Sequence, residues 1–170
     1  NQNMNKQLLW LGVIVTSAVM IAITTGSSTY IPASEATYKE FSGYYEAGLS
    51  CDQAYNQYQN NGIAMFVNYT HDTSKIKAKP IFSQYTYKLF DTKDGILMHE
   101  IWPAGNWVKN IISKDKDGNL VKAFVDISFP QDKKAEKRMH DSYKTDSTTT
   151  AYKCDVNELN ELKTATRLFN

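Results

Sequence analysis

The sequence predicts an α+β protein with an N-terminal single transmembrane helix, then helices packed on a four-stranded antiparallel β-meander, then a C-terminal helix. Three observations carry that reading. An apolar run over residues 8–25 sits inside a stretch, 7–34, that has no charged residue. Two capping boxes, 37–40 and 50–53, open segments whose aromatic residues recur at helical spacing. From Ile81 onward the period becomes two, and glycine-containing turns divide the chain into hairpins.

The first element is the apolar run. At about 1.5 Å per residue it spans about 27 Å as a helix, close to the ~30 Å hydrocarbon core of a bilayer. Leu8, Leu9, Trp10, Leu11, Val13, Ile14, Val15, Val19, Met20, Ile21 and Ile23 supply the anchor's apolar surface. Trp10 and Tyr30 stand where interfacial aromatics are expected, and Pro32 follows the Gly26 stop. A cleaved signal peptide is the competing reading, because Met4-Asn-Lys6 is a short basic start and small residues precede a possible cut after Ala36. The run exceeds the roughly 7–15 residues of a signal core, which favours the anchor. Lys6 then places the N-terminus in the cytoplasm and the body in a periplasmic or extracellular space. The expected organisation is an anchor over 1–28, a linker over 29–36 and an extracytoplasmic domain over 37–170.

In the body, Tyr38, Phe41, Tyr45 and Leu49 follow helical spacing up to a stop at Gly48, and Cys51, Tyr55 and Tyr58 share a face of a second helix ended by Gly62. Residues 63–67 form a short apolar run, a strand or the end of the helical layer, and 71–80 reads as a loop. Four strands are expected over 81–91, 96–102, 107–113 and 120–129, with Val121, Ala123, Val125, Ile127 and Phe129 on one face of the last. Residues 131–150 read as a short solvated helix and a loop. Asp155 caps a final helix carrying Val156, Leu159 and Leu162.

Charge excludes one class of function. With 19 Lys+Arg against 18 Asp+Glu the net charge is +1, and Lys6 is the only charged side chain before Glu35. The body is therefore neutral and is not a reader of nucleic acid.

Cys51 and Cys154 are the two cysteines, and in an oxidising compartment they form a disulfide. Neither has a His or Cys partner at ligand spacing, so no metal is expected. His71, His99 and His140 each adjoin an acid, but neighbours along a strand face opposite ways, so adjacency makes no catalytic dyad. Residues 115–119 resemble the start of a calcium loop but lack its later acid and read as a hairpin turn. No nucleophile, phosphate-loop or dinucleotide motif is present. The expectation is a protein that is not an enzyme and takes no cofactor. Asn68-Tyr-Thr70 is an N-glycosylation triplet.

Eleven tyrosines are a surplus. Tyr38, Tyr44, Tyr45, Tyr55 and Tyr58 are the candidates for partner contact, since aromatic side chains add interface area at low entropic cost. The expected role is a membrane-anchored structural or interaction subunit of a cell-envelope assembly such as a secretion or pilus machine. Its partners would be other envelope proteins, copies of itself and the lipid bilayer.

Two alternatives stand beside it. The order of apolar helix, amphipathic helix, four-stranded sheet and late cysteine resembles type IV pilins and pseudopilins, which implies a filament subunit. The chain has neither the cleavage glycine of that family nor its early Glu in the apolar run. The other alternative is a secreted binding protein whose signal peptide is removed.

Overall fold

The structure is a computed structural model and describes residues 30–69 and 81–155, together with Asn157 and Leu159. These residues are mostly β. Nine antiparallel strands form one sheet that curls into a nearly closed barrel, with two short helices beside it.

The chain enters through β1 (Ile31–Pro32), which pairs with the far end of β5, and α1 (Glu35–Phe41). Ser34 caps α1 by accepting from the Thr37 backbone N–H, so the helix begins before the expected capping box and ends well before Gly48. A meander then runs through β2 (Gly43–Glu46), β3 (Ala54–Tyr58), β4 (Ile63–Asn68), β5 (Ile81–Thr92), β6 (Gly95–Ile101), β7 (Trp107–Lys114) and β8 (Leu120–Ser128). Helix α2 (Lys133–Tyr143) separates β8 from β9 (Thr148–Ala151), where a loop was expected. Past β9 the chain turns back onto β2. Tyr45 bridges to Lys153, the Glu46 N–H donates to the Tyr152 carbonyl, and the Cys154 N–H donates to the Tyr44 carbonyl. That seam lays the chain just past β9 along β2 and covers part of the open edge of the meander.

The expected fold class is therefore overturned. The helices anticipated over 37–49 and 50–60 are, beyond Phe41, the strands β2 and β3. For the first the physical cause is an ambiguity of period, since a spacing of four residues satisfies a repeat of two as well as one of 3.6; in the second, Tyr55 and Tyr58 are three apart and are buried on opposite faces of β3. Glycine decides between the two periods here. Gly43 at φ +143° and Gly48 at φ +79° break helical continuity, and tyrosine suits a half-buried pleated surface. The architecture on which the pilin resemblance rested, a helix ahead of a four-stranded sheet, is not formed.

The single-pass membrane reading and the localisation built on it are not supported by the described residues. No helix among the described residues is long and apolar enough to cross a membrane. The anchor expected over 8–25, the linker up to residue 29, His71 and most of the expected C-terminal helix lie outside the described residues. At the C-terminal end, Asn157 and Leu159 are helical, the Asp155 carboxylate accepts from the Asn157 N–H, and Leu159 is buried.

Two apolar clusters follow from the strand alternation. The inner one fills the barrel with Tyr45, Tyr58, Tyr85, Tyr87, Leu89, Met98, Ile112 and Leu120, closed off by Phe41 of α1. The outer one gathers Cys51, Tyr55, Val67, Cys154 and Leu159. On β8 the expected face is split. Asn110 pairs with Phe124 but Lys109 pairs with Asp126, so Val125 is an extra residue in the ladder. Lys122 faces Ile112 of the inner cluster before this bulge, Ile127 is buried beyond it, and Val125 is left 44% exposed.

Candidate functional site

The inward side chains divide the barrel into a filled half and an open half. In the filled half Tyr38 lies on Tyr87, ring centroids 5.5 Å apart, and its hydroxyl accepts from the Leu89 N–H. The Tyr87 hydroxyl donates to the Gln59 carbonyl. Met98 and Leu120 are fully buried there.

In the open half a cavity of about 710 Å³ is lined by Asn56, Phe66, Trp102, Val108, Asn110 and Tyr143, and Glu46 and Tyr152 also border it. The bulge opposite Lys109 and Asn110 lies beside this wall, between the lining residues Val108 and Asn110. Phe124 and Tyr143 stack with centroids 4.1 Å apart, which fastens the end of α2 to β8 beside it. Trp102 stacks on Tyr85 at 4.7 Å.

A polar layer separates the two halves. Glu100, 3% exposed, sits on β6 between the inward Met98 and Trp102. Its Oε1 accepts from the Tyr58 hydroxyl at 2.6 Å and from the Tyr85 hydroxyl at 3.2 Å. Its Oε2 lies 3.4 Å from Lys122 Nζ, and the same ammonium donates to the Tyr58 hydroxyl at 2.8 Å. The Tyr85 hydroxyl also contacts Asn56 Oδ1 at 3.0 Å.

Burial and the adjacent Glu100 carboxylate push the Tyr58 and Tyr85 hydroxyls well above the ordinary tyrosine range. Both are therefore fixed as neutral hydrogen-bond donors at neutral pH. A buried carboxylate held by two phenols and one ammonium is a compensated polar layer.

The residues singled out from sequence fall mostly elsewhere. Cys51 and Cys154 form a disulfide, Cα atoms 5.7 Å apart, which clamps the β2–β3 turn to the seam. Tyr45 and Tyr58 face the barrel core, and Tyr55 lies in the outer cluster beside the disulfide; all three are buried. Tyr38 and Tyr44 are half-buried, with Tyr44 tilted on Tyr55 at 5.8 Å. Their area is thus spent largely inside the molecule. His99 lies edge-on to Trp107, and burial with the cations Lys109 and Lys88 holds its pKa below the usual value. His140 is on α2, 3.7 Å from Asp126. Among the described residues no group of three or more His, Cys, Asp or Glu is placed to hold a metal ion.

Sequence reasoning missed Glu100, Lys122, Asn56, Phe66 and Trp102. The available signal was parity. Glu100 interrupts an alternation in which Met98 and Trp102 face the core, and a charge at such a position marks a polar network. Protein-family models, curated proteins and solved structures return no match to this chain.

Proposed function

We propose that the protein is a non-enzymatic binding protein that holds one small molecule in the open half of its barrel. The cavity above the Glu100–Lys122 layer carries this reading. Its volume of about 710 Å³ falls within the roughly 300–1,000 Å³ usual for small-ligand sites. Its lining mixes apolar and aromatic residues, among them Phe66, Trp102, Val108 and Tyr143, with about as many polar ones, so it is more polar than most small-molecule sites. With β1 off the main path, the barrel wall is the eight strands β2 to β9, and an eight-stranded barrel is about wide enough for side chains to fill it or for one small ligand; here one half is filled. The neutral state of Tyr58 and Tyr85 argues against either acting as a nucleophile. A disulfide fits a protein that folds in an oxidising compartment.

The test is titration with N-phenyl-1-naphthylamine, an uncharged amphiphile whose fluorescence rises in apolar surroundings. One saturable site is expected, weakened by Trp102→Ala in a variant that keeps its β-sheet circular dichroism. Absence of saturable fluorescence would overturn the proposal.

A further inference from the structure

The floor of the cavity constrains what kind of head group can sit on it. Lys122 contacts Tyr58 Oη and Glu100 Oε2, so among the described residues one of its three N–H groups has no partner. Glu100 Oε1 accepts twice, whereas among the described residues Oε2 accepts only from Lys122 at 3.4 Å and retains acceptor capacity. One spare donor and one spare acceptor thus stand side by side at the floor.

The charges of these two groups already cancel. The Glu100 side chain is 4% exposed and that of Lys122 is 16% exposed, so a head group that reaches both displaces the water that would screen a third charge. An ammonium head would be drawn to Glu100 but would meet Lys122 at the same place. A carboxylate would be drawn to Lys122 but would meet Glu100, and Glu46 adds a second carboxylate to the lining. Either charged head loses its hydration and leaves one charge uncompensated beside a closed pair. An uncharged head that both donates and accepts satisfies the two spare positions without that cost. Trp102, stacked on Tyr85 beside the floor, offers an aromatic wall to a planar body.

We infer that the Glu100–Lys122 pair is a specificity filter, and that the ligand class is an uncharged planar amphiphile whose head carries both a hydrogen-bond donor and an acceptor, such as a primary amide. This inference rests on the binding role proposed above for the same cavity.

The test is calorimetric titration of the full chain at neutral pH with three ligands of one body: 1-naphthylacetamide, 1-naphthylmethylamine and 1-naphthylacetate. The amide is expected to bind at least about tenfold more tightly than either charged analogue. A preference smaller than that, or a preference for either ion, would overturn the filter. If N-phenyl-1-naphthylamine binds and none of the three does, the filter is wrong while the cavity reading stands; if that probe also fails, both are wrong. Two variants extend the test. Glu100→Gln leaves the ammonium uncompensated and should shift preference toward the carboxylate, and Lys122→Met should shift it toward the amine. Unchanged preference in both, with circular dichroism preserved, would show that the pair does not select. Because the first comparison uses the unaltered protein, it remains decisive if either variant fails to fold.

Discussion

In the closed half of the barrel, Leu89, Met98, Ile112 and Leu120 are buried in one cluster with tyrosine rings and Phe41 of α1. In the open half, the same β5–β8 ladder carries Trp102, Val108 and Asn110, and with Asn56 and Phe66 they enclose about 710 Å³. Both halves obey one alternation. They differ in what the inward positions hold and in whether a helix lies across the end. The contrast teaches that a cavity needs no separate fold: shorter and polar side chains at a few inward positions are enough, provided the opposite half supplies the stability. Glu100 and Lys122 lie at the boundary, where a polar layer can be both packed from below and reached from above.

The contrast can be broken or sharpened by experiment. The largest effect is expected at the seam, which serves both halves. Cys51 and Cys154 are 103 residues apart, and in the chain-entropy picture a crosslink of that span stabilises by about 4.7 kcal/mol. Urea denaturation with and without reductant should show a loss of that order, together with loss of probe binding. If binding survives while stability falls by the full amount, the seam does not hold the cavity's shape.

Core truncation should separate the halves. Leu89→Ala is expected to cost about 2–5 kcal/mol, because Leu89 is 1% exposed in a packed layer. Val108→Ala, on the cavity wall, should cost about 1 kcal/mol or less, since no closed void is created. Denaturant midpoints measure both, and equal losses would erase the distinction.

Alkaline titration probes the boundary. Tyr58 and Tyr85 are raised well above the ordinary value of 10.0, so the folded state keeps protons that the unfolded state releases. Their contribution is fully present below pH 10 and declines as pH climbs from there through the folded values. Tyrosinate absorbance and circular dichroism should show these two residues ionising only as the sheet unfolds. Ionisation of either in an intact sheet would contradict their burial.

A smaller effect is expected on the outer wall. His99 is lowered from 6.5 by burial, Lys109 and Lys88, so its neutral form belongs to the folded state. Its contribution is present above pH 6.5 and is lost as pH falls from there through the folded value. His99→Gln should flatten the dependence of the urea midpoint across that window without altering probe affinity.

The strands β5 to β8 were legible because alternation and the turns at Gly95, Gly105 and Gly118 agree with one another. β2 and β3 were not: around β2 the four-residue spacing of Phe41, Tyr45 and Leu49 fits two periods, and on β3 Tyr55 and Tyr58, three apart, are buried on opposite faces, which reads locally as one face of a helix. Closure itself depends on a pairing between Tyr45 and Lys153, a long-range contact with no local pattern. The site was hidden for a related reason. Asn56 and Phe66 are paired neighbours on β3 and β4, while Glu100 and Lys122 come from β6 and β8, so their convergence is a property of the barrel. The cysteines were easier, since two thiols in one chain leave a single pairing.

The most direct test of the central claim is amide chemical-shift mapping with N-phenyl-1-naphthylamine on the intact protein. Saturable shifts are expected at Asn56, Phe66, Trp102, Asn110 and Lys122, with Leu89, Ile112 and Leu120 unmoved. Shifts confined to the exposed Phe82 and Val125, or spread evenly across both halves, would contradict a ligand site in the open end of the barrel.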